Sequence, residues 1–131
     1  MLRDGPVPLV LHGIIEYLAA VLFIAAPFLF GFDSGRATAV AVVVGVAILV
    51  VAACTAGPTG LVRQLSITAH VVLDYVLAAF LIATPFVFSF SDEGAPTAFF
   101  LVLGVAHLLI TIGTRFLPTQ HGGRMQAGEP S

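Results

Sequence analysis

Long stretches without charge are the feature that most constrains how this chain folds. No Asp, Glu, Lys or Arg lies between Arg36 and Arg63 or between Glu93 and Arg115, and 59% of all residues are hydrophobic. Charged residues make up 9% of the chain, whereas soluble domains carry about 25%. Because a soluble domain needs a charged surface, this composition excludes an ordinary soluble fold and indicates that most of the surface faces lipid.

Four apolar segments are long enough to cross a bilayer. A membrane-spanning helix needs about 20 mostly apolar residues, and backbone polar groups within lipid must pair internally, which favours helices over open strands. The linkers between the segments are short and rich in Gly, Pro and Asp. The sequence therefore predicts an all-α bundle of four transmembrane helices in one domain, 1–131, with spans at about 9–31, 38–56, 69–90 and 96–114.

The arginines predict how the bundle is oriented. Cytoplasmic segments of membrane proteins carry an excess of Lys and Arg. With the N-terminus inside, Arg36 alone lies outside, and the other four arginines lie in cytoplasmic segments. We therefore expect a multi-pass protein with both termini in the cytoplasm, where residues 115–131 form a polar tail.

The chain contains an internal repeat. At an offset of 58 residues, His12-Gly-Ile-Ile-Glu16-Tyr17 aligns with His70-Val-Val-Leu-Asp74-Tyr75, and Pro27-Phe28 aligns with Pro85-Phe86. Apolar composition alone would not place His, acid, Tyr and Pro in register. Since two spans return the chain to its starting side, the copies are predicted to be tandem parallel helical hairpins, related by a pseudo-two-fold axis along the membrane normal. Repeat 1 covers about 9–56 and repeat 2 about 69–114.

The proline segments carry a family resemblance. Ala26-Pro27-Phe28 and Thr84-Pro85-Phe86 resemble the Ser-Pro-Trp motif of the SPW-repeat family of small bacterial integral membrane proteins, with Ala or Thr in place of Ser and Phe in place of Trp. In that family the motif lies in the first of two transmembrane helices per repeat. The resemblance covers both hairpins and implies an integral protein of the bacterial cell (inner, plasma) membrane without an established activity.

Two local motifs predict details of the helices. Pro27 and Pro85 are expected to end the regular helix near the outer leaflet, because proline removes a backbone donor. The phenylalanines that follow are expected to lie at the membrane interface; the alternative is a hinge or an exposed carbonyl that lines a path. Ala41 and Gly45 form a pair of small residues, which lets helices approach closely where lipid supplies no hydrophobic drive between them.

The polar residues within the spans form the candidate functional site. Spacing of four places His12 with Glu16, and His70 with Asp74, on one helix face each. An acid within a span is costly unless it faces the bundle interior or has a partner, so we expect the two acids to approach each other across the axis. The predicted cluster consists of His12, Glu16, Tyr17, His70, Asp74, Tyr75 and His107.

Three interpretations of this cluster stay open. In the structural one, each acid bonds its own histidine and nearby hydroxyls and locks the helix ends together. In the second, Glu16 and Asp74 translocate protons or a cation, with His107 in the path. In the third, two histidines and two acids bind a divalent metal or a haem; the candidate ligands are His12, Glu16, His70 and Asp74.

The sequence narrows the function by exclusion. A net charge of −2 argues against a positively charged surface that binds nucleic acid. A single cysteine, Cys54, excludes a disulfide framework. No catalytic residue and no cofactor are predicted. We expect a non-enzymatic structural or regulatory module in the lipid bilayer, whose partner is a second copy or another membrane protein. Proton or cation translocation is the alternative, and metal or haem binding is a third hypothesis.

Overall fold

Four long helices account for most of the described chain. A computed structural model describes residues 5–116, and each of its helices is long and apolar enough to cross a membrane. The architecture confirms the predicted four-helix membrane bundle, and the helix ends lie within three residues of the predicted spans. The part of the predicted tail that follows residue 116 lies outside the described residues. The helices are α1 (Leu9–Leu29), α2 (Gly35–Cys54), α3 (Ile67–Val87) and α4 (Gly94–Gly113).

The helices form two hairpins with close internal packing. Helix α1 packs against α2, and α3 packs against α4. Ala41 is fully buried, and a Cβ atom at Gly45 would lie 2.7 Å from the Ala20 carbonyl oxygen of α1. The small-residue pair therefore serves the contact between α1 and α2 within one hairpin.

The prolines lie inside the helices rather than at their ends. Pro27 and Pro85 are buried in the last turn of α1 and α3, and each helix continues for two residues beyond its proline. The regular helix therefore ends slightly later than the prolines predict. Phe28 and Phe86 are still helical and are 76% and 62% exposed, so both rings point away from the bundle core; their position at the membrane interface stays a prediction.

Short parallel strand contacts join the repeats at the end of the bundle that carries residues 5 and 116, which we call the proximal end. Strand β1 (Val7–Pro8) pairs with β2 (Thr114–Arg115), and Val7 lies opposite Thr114. Leu65, 58 residues after Val7, forms a parallel bridge with Thr55. In both places the segment before the first helix of one repeat pairs with the segment after the second helix of the other. The pseudo-two-fold axis itself stays a prediction.

A carboxylate links the hairpins at the opposite, distal end of the bundle. The side chain of Glu93 accepts hydrogen bonds from the backbone N–H groups of Asp33 (2.6 Å) and Ser34 (2.9 Å). Glu93 is the N-cap residue of α4, but its side chain makes no capping hydrogen bond; the carboxylate instead holds the turn before α2. The sequence identifies Glu93 only as a charge in a loop.

Replacing Glu93 by alanine should remove both of these hydrogen bonds. We expect a loss of about 1–2 kcal/mol in the free energy of unfolding, because hydrogen bonds to charged groups are stronger than neutral ones. Denaturant unfolding in detergent micelles would measure this loss. Asp92→Ala is the matched control, since Asp92 is an exposed neighbouring acid. Equal stability of the two variants would show that the link between the turns contributes nothing.

Candidate functional site

Four buried ionisable side chains meet near the proximal end of the bundle. His12 and Glu16 come from α1, and His70 and Asp74 come from α3; their exposed fractions are 1%, 7%, 4% and 2%. One nitrogen or oxygen atom from each residue lies within 4.8 Å of the other three. We call these four residues the His–carboxylate cluster. The spacing of four places His and acid on one face in each repeat, and the packing of α1 near α3 brings all four into one group.

The shortest contacts in the cluster cross between the hairpins. The Nε2 atom of His70 lies 2.9 Å from Oε1 of Glu16, and the Nε2 atom of His12 lies 3.1 Å from Oδ2 of Asp74. Within each helix the corresponding distances are longer, 3.6 Å for His12 to Glu16 and 3.3 Å for His70 to Asp74. The structural interpretation paired each acid with its own histidine, whereas the crossed pairs are closer.

A threonine fixes the proton position on His12. The Nδ1 atom of His12 lies 2.8 Å from the hydroxyl oxygen of Thr114. That hydroxyl donates its single proton to the carbonyl of Ile110, four residues earlier, at 2.6 Å. The Thr114 oxygen must therefore accept a hydrogen bond from His12, which assigns the proton of a neutral His12 ring to Nδ1. The Nε2 atom is left facing the cluster.

The same arrangement recurs at His70. Its Nδ1 atom lies 2.6 Å from the Thr55 hydroxyl, which donates to the carbonyl of Val51 at 2.6 Å. Each histidine is thus held by a threonine from the other repeat. Thr55 and Thr114 are absent from the predicted site, although they lie 59 residues apart, as Gly45 and Gly104 do in the second helices of the two repeats. The repeat shows that the two threonines occupy equivalent positions, but only the orientations of the histidine rings reveal what their hydroxyls do.

The other predicted residues lie around the cluster or away from it. His107 on α4 points Nε2 towards Oδ1 of Asp74, at 3.5 Å, and its side chain is 16% exposed. The Tyr17 hydroxyl donates to the Thr59 carbonyl at 2.9 Å, and so ties α1 to the loop between the hairpins. Tyr75 is half-buried. The motif of Pro27, Phe28, Pro85 and Phe86 lies at the distal ends of α1 and α3 and does not join the cluster.

The core between the cluster and the distal end is apolar. Large buried side chains fill it: Phe23, Leu81, Phe90 and Phe100. Among residues 5–116, one polar side chain is buried in the distal half of the bundle. It belongs to Thr84, whose hydroxyl donates to the carbonyl of Phe80. Among the described residues, no series of titratable side chains therefore continues from the cluster to the distal end.

Comparison with known proteins identifies the sequence family. A sequence model of the SPW repeat domain matches residues 10–116, a region that contains all four helices. The match confirms the resemblance carried by Ala26-Pro27-Phe28 and Thr84-Pro85-Phe86. No curated protein sequence and no solved structure matches the chain.

Proposed function

The chain belongs to the SPW repeat family, and we propose that it is a non-enzymatic membrane module with a structural or regulatory role, associating with a second copy or with another membrane protein. The arginine pattern supports a plasma-membrane orientation with both termini in the cytoplasm. The observation that carries the proposal is the crossed pairing of His12 with Asp74 and of His70 with Glu16. These contacts join the two hairpins into one unit.

Two helical hairpins in a bilayer need polar contacts to stay associated with each other. Lipid supplies no hydrophobic drive between helices, so packing and interhelical hydrogen bonds must hold them together. The His–carboxylate cluster provides such contacts at the proximal end, and Glu93 provides a second link at the distal end. With both ends joined, the bundle is suited to act as a stable unit within the membrane.

The outer surface of the bundle favours association with other molecules in the bilayer over a reaction with a water-soluble substrate. Large apolar side chains are exposed on all four helices, including Leu18, Val43, Val76 and Val102 at 59–67%. The distal turns between helices are short. This surface suits contact with lipid and with the apolar helices of another membrane protein.

The buried acids also fit a second candidate function, proton or cation translocation. Glu16 and Asp74 are ionisable groups within the spans, where such residues often mark ion pathways, and His107 lies beside Asp74. The apolar distal core between Phe23, Leu81 and Phe100 offers no continuing path among the described residues. We therefore favour the module over the transporter.

Reconstitution into liposomes separates the two functions. We expect the wild type to show no flux of protons driven by a pH gradient, read with an enclosed pH-sensitive dye. Chemical cross-linking in native membranes should capture the assembly, and Glu16→Gln with Asp74→Asn should weaken it. Asp92→Asn is the matched control and should assemble like the wild type. Wild-type proton flux that the double variant abolishes, or a wild type that yields no cross-linked species, would contradict the module.

A further inference from the structure

The four ligand-type atoms of the His–carboxylate cluster have the spacing of a metal site. The four distances from a histidine Nε2 to a carboxylate oxygen are 2.9, 3.1, 3.3 and 3.6 Å. A tetrahedral Zn²⁺ ion with bonds of about 2.0–2.1 Å separates its ligand atoms by about 3.3–3.4 Å. These four distances lie on both sides of this value, and all four atoms lie within 4.8 Å of one another, so side-chain movements without a change of fold would bring them around one ion.

Both histidines are oriented as metal binding requires, with Nε2 towards the cluster and Nδ1 on a threonine. Thr114 and Thr55 accept the Nδ1 protons of His12 and His70, so the proton that an incoming cation would displace is the one on Nε2, and the lone pairs that remain face the cluster. Metal-binding histidines generally donate the other ring N–H to an oxygen, which fixes the ring and the tautomer. The two threonines provide this support in equivalent positions of the two repeats.

Two atoms in the cluster lack a hydrogen-bond partner. Nε2 of His12 and Oδ2 of Asp74 are buried and have no hydrogen bond within residues 5–116, although they lie 3.1 Å apart. Their residues are 1% and 2% exposed. Buried polar atoms are nearly always satisfied, and a cation bound to both atoms would satisfy the pair.

The charge of the cluster depends on its two histidines. Glu16 and Asp74 bring two negative charges when ionised, and the ion pairs that the structure gives them among the described residues are all to histidines. Two protonated rings balance the two carboxylates, whereas two neutral rings leave two negative charges that no Arg or Lys among the described residues pairs with. A divalent cation neutralises this charge, and ionised ligands are the form that binds metal.

We propose that His12, Glu16, His70 and Asp74 bind one divalent transition-metal ion, for which Zn²⁺ is the best match, and that this ion clamps the two hairpins together. This inference rests on the proposed role of the cluster as the join between the hairpins. Two imidazole and two carboxylate ligands suit zinc better than magnesium or calcium, which take mainly oxygen ligands. Four protein ligands are typical of a closed, structural zinc site. A haem would not fit, since the carboxylate oxygens occupy the space between the histidines.

His107 and a small cavity complete the surroundings of the site. His107 faces Oδ1 of Asp74, the oxygen that the metal would leave free. A cavity of about 20 Å³ borders His12, Glu16 and His70 and reaches the loop residues Gly57–Thr59. Because this loop lies at the proximal end of the bundle, the cavity marks the side from which an ion would enter.

Metal analysis of the full-length protein tests the inference. The chain is purified in detergent without a histidine tag, stripped with a chelator, incubated with Zn²⁺ and analysed by mass spectrometry for metal content. We expect about one zinc per chain in the wild type and in the control Asp92→Asn, and loss of bound zinc in Asp74→Asn and His70→Gln. Equal zinc content in the wild type and both ligand variants would overturn the site.

Two further measurements do not depend on the folding of the ligand variants. Co²⁺ added to the stripped wild type should give the intense visible absorption of a tetrahedral complex. Thr55→Val with Thr114→Val keeps all four ligands but removes the supporting hydroxyls, and should weaken zinc binding about 10–100-fold; Thr55→Ser with Thr114→Ser should restore it. A wild type that binds no zinc and shows no cobalt bands would overturn the metal site but leave the module standing. Proton flux in liposomes would overturn the module without affecting the zinc measurement.

Discussion

Replacing Asp74 by alanine should lower the free energy of unfolding by about 3–5 kcal/mol, the range found when one partner of a buried ion pair is removed. The Asp74 carboxylate lies 3.1 Å from His12, 3.3 Å from His70 and 3.5 Å from His107. Its removal leaves the three imidazoles without their shared carboxylate. Unfolding should be followed in detergent with a chelator present, so that the result reports the protein contacts alone.

Asp92→Ala is the control for this change. Asp92 is an exposed acid in the distal turn, and its replacement should change the free energy of unfolding by no more than about 0.5 kcal/mol. If Asp74→Ala were no more destabilising than Asp92→Ala, the His–carboxylate cluster would not hold the hairpins together. That result would remove the main support for the proposed module.

Gly45→Ala should destabilise the protein by about 1–3 kcal/mol, the usual cost of overpacking, even though alanine is the better helix former. A Cβ atom at this position would lie 2.7 Å from the carbonyl oxygen of Ala20 and 2.7 Å from Cγ1 of Ile24. Since the Ala20 contact is with backbone, helix α1 as a whole would have to move away. Thermal unfolding in micelles would measure the effect.

Two other glycines provide matched comparisons for Gly45. Gly35 begins the same helix and has nothing within 4 Å of an added Cβ, so Gly35→Ala should be neutral or stabilising by up to about 1 kcal/mol. At Gly104 the nearest atom is Cγ1 of Ile82, at 2.9 Å; because this side chain can move, Gly104→Ala should cost less than Gly45→Ala. If Gly45→Ala behaved like Gly35→Ala, the close approach of α1 and α2 would not matter for stability.

Much of the fold could be predicted because its determinants are local. The gaps in charge from Arg36 to Arg63 and from Glu93 to Arg115 require apolar helices, and the Gly- and Pro-rich linkers show where those helices stop. The ends of α1 were harder to predict, because Pro27 near the end of a helix is compatible with a last turn that continues to Leu29. The family resemblance, carried by short motifs around Pro27 and Pro85, was confirmed over residues 10–116.

The members of the cluster could be named from the sequence, but their partners could not. Histidines and acids are costly in lipid, so His12, Glu16, His70 and Asp74 stand out against an apolar background. Spacing of four suggests that each acid pairs with the histidine of its own helix. The shorter contacts run between helices α1 and α3, because the rotation and distance of packed helices decide which side chains meet.

By itself, the sequence determined that this chain is a four-helix membrane protein with repeated His-acid pairs, since composition and periodicity are properties of the chain alone. The tertiary structure decided which side chains join the helices of these long uncharged stretches into one bundle. It pairs His12 with Asp74 and Thr114, pairs His70 with Glu16 and Thr55, and places Glu93 against the turn before α2. These partners are 15 to 102 residues apart in the chain. Only the packing of one hairpin on the other brings such distant groups within hydrogen-bonding distance.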